Sequence, residues 1–197
     1  MSVAPKMAEA LLSGGIDLLQ LRAKNCSERE IEKLGNELRA ITSRHSVPLI
    51  INDHPEIARS VGAEGVHLGQ DDMPITEARK IVGPACAVGK STHSLDQAIR
   101  AFYEGADYIG FGPLFATPTK PDYPPIGLSE IGKVHEAVRI PVFCIGGIKL
   151  DNLPNVIEAG AHRVVIVSGL LQAGDIPAAT RSAKELLNRK SKIENSK

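Results

Sequence analysis

Seven short apolar segments of this sequence are each followed by polar residues or glycines that could bind charged groups. Arg22 ends the first segment and Lys24 follows it, and Lys120 follows a later one. Cationic side chains from separate parts of a chain suit a highly charged oxyanion such as a pyrophosphate. Asp53 ends another segment and Asp72 follows the next, and Mg²⁺ accepts carboxylate oxygens alongside water and phosphate oxygens. These residue types indicate a local phosphate site with a divalent metal.

Each of these residues also has an ordinary structural explanation. Arg22 and Lys24 could form exposed salt bridges. Asp53 and Asp72 could cap the helices that follow them, because aspartate is a favoured residue at a helix N-terminus. A cap or turn former is the commoner role of any single polar residue after a strand. A shared site is favoured because polar residues or glycines occur at the end of all seven segments.

Two histidines lie close to these positions. His67 is inside the short apolar segment "GVHLG" and is expected to be a hydrogen-bonded core residue rather than a catalyst. His93 lies just past a segment end, but Ser94 directly after it is a helix-capping residue type. The sequence therefore leaves the role of His93 open.

The apolar segments predict parallel β-strands covered on both faces, because they are continuous rather than alternating in hydrophobicity. They span residues 16–22, 47–53, 65–69, 86–91, 107–113, 140–147 and 162–169. Segments with helical periodicity lie between them, one of them behind a capping box formed by Ser27 and Glu30. The alternation predicts βα units in a single domain over residues 1–188, followed by a polar tail at 189–197.

A closed barrel is favoured over an open doubly wound sheet. The first strand-to-helix turn, "QLRAKN", lacks the glycine fingerprint that doubly wound sheets usually carry there. Functional groups at the carboxyl ends of many strands are typical of a (βα)8 TIM barrel. We therefore expect the polar residues to share one rim.

Bulk composition excludes several classes of partner. The chain has 197 residues, with 23 basic residues against 23 acidic ones, so no overall field favours nucleic acid or an anionic membrane surface. No apolar run approaches the ~20 residues that a membrane span needs. Cys26, Cys86 and Cys144 are an odd number without CxxC spacing, which predicts reduced thiols and a cytosolic location.

Ordered motifs across most of the chain resemble thiamine phosphate synthase. The strings are "LLQLRAKN", "IIND", "GVHLGQDD", "GKSTH", "GADYIGFGPLFATPTK", "VFCIGGI" and "VVIVSG". The resemblance implies a (βα)8 barrel that joins 4-amino-2-methyl-5-hydroxymethylpyrimidine diphosphate to a thiazole phosphate. The products would be thiamine phosphate and pyrophosphate.

The resemblance also implies a role for each matching residue. The pyrimidine diphosphate would be bound by Gln20, Leu21, Arg22, Ala23, Lys24, Asn52, Ser91 and Lys120. Of these, the catalytic group would be Arg22, Lys24, Ser91 and Lys120. Mg²⁺ would be held by Asp53 and Asp72. The thiazole phosphate would be bound by Thr117, Pro118, Thr119, Gly147, Val167 and Ser168.

The beginning of the chain departs from the family pattern. Family members usually begin with a strand resembling "LYLITD", whereas this chain opens with "MSVAPKMAEALLSGG", which is helical in character. We therefore expect a TIM barrel with the first strand missing and seven strands present. Loss of that strand would expose two sheet edges. Another element, or a second copy of the chain in a homo-oligomer, would then have to seal them.

Two other functions compete with the synthase. A related thiazole tautomerase would use the histidine of a string like "STHS", but that relative usually lacks "TPTK" and the paired aspartates. A non-catalytic binding or regulatory barrel would fit a missing strand. Such a barrel has no need for Arg22, Asp53, Asp72 and Lys120 together.

Overall fold

The computed structural model describes residues 3–117 and 124–194. Its strands form one parallel sheet in sequence order, as the alternation of apolar segments predicts. They are β1 (Leu19–Leu21), β2 (Leu49–Asn52), β3 (Gly65–Leu68), β4 (Ala87–Thr92), β5 (Tyr108–Phe111), β6 (Val142–Ile145) and β7 (Val164–Val165). The seven-stranded α/β TIM-type architecture is confirmed.

In the described residues one helix precedes the first strand, and the other helices follow the strands along the chain. They are α1 (Val3–Ser13), α2 (Glu28–Arg44), α3 (Pro55–Val61), α4 (Ile75–Val82), α5 (Leu95–Tyr103), α6 (Ile131–Ala137), α7 (Leu153–Glu158), α8 (Ser168–Leu171) and α9 (Ile176–Glu194). The capping box of Ser27 and Glu30 opens α2, as predicted. The last helix extends to Glu194, so it includes most of the polar segment at the end of the sequence.

The core lies between the outer face of the sheet and the helices. Strand side chains alternate between the two faces, and parallel partners point to the same side. Ile51, Val66 and Val88 therefore share the outer face, and all three are fully buried. Lys90 lies on this same face and is 7% exposed, so one ammonium-bearing side chain stands among the aliphatic ones.

The inner face of the sheet is polar toward the carboxyl ends of the strands. The register places Asn52, His67, Gly89 and Tyr108 side by side on this face, and Ser91 lies two residues beyond Gly89. Polar side chains therefore line the inside of the curled sheet where the predicted site residues also emerge.

The strand order ends at β1 and β7, and within the described residues no ladder joins these two strands. A cavity of about 290 Å³ opens at the amino ends of the strands, lined by residues that include Leu18, Pro48, Ile50, Tyr108 and Phe143. It lies at the end of the sheet opposite to the predicted site residues. No helix in the described part of the chain is long and apolar enough to cross a membrane.

Candidate active site

The predicted site residues that the structure describes lie at the carboxyl ends of the parallel strands. Those near the first four strands are Gln20 in β1, Arg22 and Lys24 after it, Asn52 and Asp53 at the end of β2, Asp72 after β3, and Ser91 in β4. Those near the last three are Thr117 after β5, Gly147 after β6, and Val167 and Ser168 after β7. Pro118, Thr119 and Lys120 lie outside the described residues. Because all seven strands are parallel, these residues occupy one rim.

Two of the predicted binding residues have apolar side chains that pack against the core. Leu21 pairs with Ile51 on the outer face, and its side chain is only 7% exposed within the core. Ala23 packs partly buried against the same core. A substrate at the rim could therefore meet backbone atoms of these two residues, but it would not meet the Leu21 side chain.

Asp53 does not cap the helix that follows it. Its backbone N–H donates to the carbonyl oxygen of His67 at 2.8 Å, which extends the β2–β3 ladder by one residue. The N-cap of α3 is His54. Asp53 has a φ of 67°, a left-handed conformation that non-glycine residues seldom adopt. This unusual backbone conformation places the Asp53 carboxylate at the rim.

Asp72 is not a helix cap either. Its carboxylate oxygen Oδ2 accepts a hydrogen bond from the Gly69 N–H at 2.6 Å, closing the tight "GQDD" turn after β3. The N-cap of α4 is Pro74. The alternative capping explanation therefore fails for both aspartates.

The two carboxyl groups hydrogen-bond to each other, and their pKa values move in opposite directions. Partial burial, the hydrogen bond with Asp72 and the charge of Asp72 raise the pKa of Asp53 to about 6. Burial also acts to raise the pKa of Asp72, but hydrogen bonds from Asp53 and Gly69 outweigh it and the net pKa is lowered. Asp72 therefore loses its proton first and Asp53 keeps its own up to about pH 6, as expected of two acids held close together.

Positive charges from two other strands act on this pair. Lys24 lowers the pKa of both aspartates, Arg22 lowers that of Asp53, and Lys90 lowers that of Asp72. Arg22 and Lys24 form no ion pair with another described residue, so the salt-bridge explanation is not supported. Cations from β1 and acids from β2 and β3 therefore share one electrostatic environment.

The Asp53 and Asp72 carboxylates fit a Mg²⁺ ion that also binds the phosphate groups of a substrate. Within residues 3–117 and 124–194, no three His, Cys, Asp or Glu side chains converge as an all-protein metal cage. Mg²⁺ is commonly held by one or two carboxylates, with waters and substrate phosphates completing its octahedron. Asp53 and Asp72 could supply those carboxylates, and a divalent cation would favour the ionised form of both.

Ser91 is held by two partners that lie across the inner face. His67 Nε2 is 3.0 Å from the Ser91 hydroxyl oxygen, and Nδ1 of the same ring is 3.3 Å from the hydroxyl of Tyr108. Gln70 donates from its side-chain amide to the carbonyl oxygen of Ser91. The expectation that His67 is hydrogen-bonded inside the protein is met, but its partner is a predicted site residue. Sequence reasoning expected Gln70 at the same rim, but it did not connect His67 and Tyr108 to the site.

His93 contacts the backbone beyond β5. Its N–H donates to Gln97 Oε1 at 2.7 Å at the start of α5, and Nδ1 contacts the carbonyl oxygen of Gly112. Ser94 caps the same helix by accepting from the Gln97 N–H, as the sequence predicts. His93 therefore links the start of α5 to the loop after β5.

The loops after β5 and β6 lie against each other. The Leu114 N–H donates to the carbonyl oxygen of Ile145 at 2.9 Å, and the Phe115 N–H donates to that of Gly146 at 3.1 Å. Gly147 has a φ of 66°, and a Cβ there would lie 2.7 Å from the Cβ of Phe115. The glycine pair thus lets the chain that leads into "TPTK" approach the end of β6.

Replacing Asp53 by Asn should stabilise the metal-free protein at neutral pH. The native carboxyl group keeps its proton up to about pH 6, whereas the ordinary value is 3.8, so native stability falls as pH rises through this window. Above it, removing a charge that is partly buried and close to Asp72 should add about 1 kcal/mol, a modest amount because the group is half-exposed and solvent screens it. The gain should disappear below about pH 4.

Chemical denaturation in a chelating buffer at pH 4 and pH 7.5 measures this difference. Glu56→Gln, which removes an exposed carboxylate from the first turn of α3, is the control and should show no gain. An Asp53→Asn protein that is no more stable than the starting protein at pH 7.5 would contradict the raised pKa of Asp53.

Comparison with known proteins agrees with this geometry. A family model described as thiamine monophosphate synthase matches residues 2–170. The thiamine-phosphate synthases of Chloroflexus aurantiacus and Thermus thermophilus are each 44% identical, covering 91% of this chain and 83% and 86% of their own lengths. A solved thiamine phosphate pyrophosphorylase from Pyrococcus furiosus is 35% identical with a TM-score of 0.88, covering 94% of this chain and 89% of that one. The chain belongs to the thiamine monophosphate synthase family.

Proposed function

We propose that this protein is a transferase that joins the pyrimidine diphosphate to the thiazole phosphate, forming thiamine phosphate and releasing pyrophosphate. The observation that carries the proposal is the shared environment of Arg22, Lys24, Asp53 and Asp72 on one rim. Family membership identifies the chemistry that such a rim would serve. Cys26, Cys86 and Cys144 form no disulfide in the described residues, which is consistent with a cytosolic location.

The reaction begins with departure of the leaving group. The C–O bond between the pyrimidine methylene and the diphosphate breaks, and the bond electrons leave with pyrophosphate. The electron-rich aminopyrimidine stabilises the carbocation that remains, and the thiazole nitrogen captures it. Mg²⁺, when bound by Asp53 and Asp72, would neutralise charge that develops on the diphosphate.

The protein's own contribution is electrostatic and positional. Arg22 and Lys24 face the departing diphosphate as fixed cations, and Ser91 offers a hydroxyl group from the inner face of β4. Preorganised groups of this kind stabilise the transition state most strongly where charge develops in it. Water must be kept from the carbocation, since it would trap it as an alcohol. Lys120 and the threonines of "TPTK" are assigned by the family pattern to the two phosphates.

Incubation of the purified protein with both substrates and Mg²⁺ tests the proposal. Thiamine phosphate, oxidised to its fluorescent derivative, should accumulate with time and with protein concentration. Omitting either substrate or chelating the metal should abolish the signal. Binding of a substrate without product would favour the non-catalytic barrel. Conversion of a thiazole isomer alone would favour the tautomerase.

A further inference from the structure

Two glycines make room for a pair of rings on the inner face of the sheet. A Cβ at Gly89 would lie 2.1 Å from the Tyr108 ring, and a Cβ at Gly110 would lie 3.3 Å from the His67 ring. The His67 and Tyr108 rings stack, with centroids 5.5 Å apart and planes inclined by 30°. The rings are therefore held in place by packing, and the hydrogen bonds along the row Tyr108, His67, Ser91 have defined geometry.

The Tyr108 hydroxyl stays protonated under ordinary conditions. Burial raises the pKa of this phenol well above its usual value, with further contributions from Cys86 and Asp107. A phenol is a better donor than acceptor, and His67 Nδ1 lies within reach of its O–H at 3.3 Å. Donation to Nδ1 requires that this nitrogen carry no proton, so the neutral imidazole then bears its proton on Nε2.

We propose that His67 is a positioning residue: it accepts from Tyr108 at Nδ1 and donates from Nε2–H to the Ser91 oxygen. The Ser91 oxygen then serves as acceptor toward the histidine, and its own hydrogen is free to point into the site. There it donates to an anionic oxygen of the diphosphate. This last step rests on the proposed function, whereas the tautomer of His67 does not.

The arrangement differs from that of a serine hydrolase in one decisive respect. In a Ser-His-Asp triad, a carboxylate accepts from Nδ1–H, which leaves Nε2 as the base that takes the serine proton. Here a phenol occupies the third position and donates, so Nε2 carries a proton and cannot activate Ser91. The same serine and histidine therefore make a hydrogen-bond donor for an anion instead of a nucleophile.

Long-range ¹H–¹⁵N correlation spectra of the ¹⁵N-histidine-labelled full chain at pH 8 test the tautomer without any substrate. The peaks of His67, assigned by their loss in His67→Gln, should show a protonated Nε2 and an unprotonated Nδ1. Tyr108→Phe, which keeps the ring stack, should reduce the preference for this tautomer. Protonation at Nδ1 in the unsubstituted protein would overturn the proposal.

Steady-state kinetics test the consequence for Ser91. His67→Leu should lower kcat by about 10-fold or more, the effect of losing one hydrogen bond that orients a catalytic donor. His67→Gln, whose amide N–H can replace Nε2–H, should recover most of that loss. The KM for the thiazole phosphate should not change in either variant. In a Ser91→Ala background, His67→Leu should have less than a ~2-fold further effect.

One control variant and the double substitution separate positioning from a general structural role. His162→Gln makes the same substitution at an exposed histidine before β7 and should leave kcat unchanged. Independent, multiplicative effects of His67→Leu and Ser91→Ala would overturn the proposal even if the enzyme is active. An unsubstituted protein that makes no thiamine phosphate would instead refute the proposed function, and the spectrum would still decide the tautomer of His67.

Discussion

Replacing Asp72 by Asn is expected to lower the rate of thiamine phosphate formation at least ~100-fold, the scale of losing one preorganised electrostatic contact. The side-chain oxygen of Asn can still accept from the Gly69 N–H, so the turn after β3 should persist. What disappears is the negative charge that, with Asp53, would hold Mg²⁺ beside the diphosphate. The fold and the melting temperature should therefore change little while turnover collapses.

Asp71→Asn is the matched control, because it makes the same substitution at the preceding residue of the same turn. Asp71 is exposed, and the family pattern assigns it no metal. Calorimetric titration with Mg²⁺ in the presence of pyrophosphate provides a readout besides activity. Asp72→Asn should weaken metal binding and Asp71→Asn should not. Equal rates in the two variants would show that the metal is not held at Asp72.

Replacing Gly147 by Ala is expected to lower the free energy of unfolding by about 2–4 kcal/mol, the sum of left-handed strain and a steric clash. The added Cβ would meet the Phe115 Cβ at 2.7 Å and the Ala116 carbonyl oxygen at 2.9 Å. Both are close to the main chain, so they cannot move without shifting the segment that ends at Thr117. The KM for the thiazole phosphate should rise with the same substitution, as this segment leads into the predicted phosphate loop.

Gly62→Ala separates strain from clash. Gly62 has the same φ of 66° as Gly147, but nothing lies within 4 Å of the position that its Cβ would occupy. This variant should lose only the about 1–2 kcal/mol of left-handed strain and should keep its KM. Urea denaturation and substrate titration of both proteins make the comparison. Equal losses of unfolding free energy in the two variants would mean that the close contact between the loops after β5 and β6 does not contribute to stability.

The strands could be predicted from the sequence because both of their faces are covered. Continuous apolar runs such as "VPLIIND" are typical of parallel strands that are covered on both faces. Each observed strand falls inside its predicted segment except β4, which extends one residue further to Thr92, and β7 is reduced to Val164–Val165. Parallel order brings the strand ends to one rim, which is why the sequence alone could predict that widely separated residues share one site.

The roles of the histidines could not be predicted in the same way. The segment around His67 would be equally apolar if this histidine contacted only aliphatic side chains. The local sequence pattern therefore does not reveal the contact between His67 and Ser91. The signal that could have found it was the pair of small inward residues, Gly89 and Gly110, on the neighbouring strands. Glycine inside a buried strand often marks close approach of another group. Here the groups are the His67 and Tyr108 rings.

The sequence by itself determined the order of strands and helices, the family, and the residue types that could bind phosphate and metal. Each of these depends on local composition or on motifs read along the chain. Only the tertiary structure decided that Asp53 hydrogen-bonds to Asp72, that Leu21 turns away from the rim, and which partners hold His67. Those facts depend on distances between side chains from different strands. Such distances follow from register and packing, which no single segment contains.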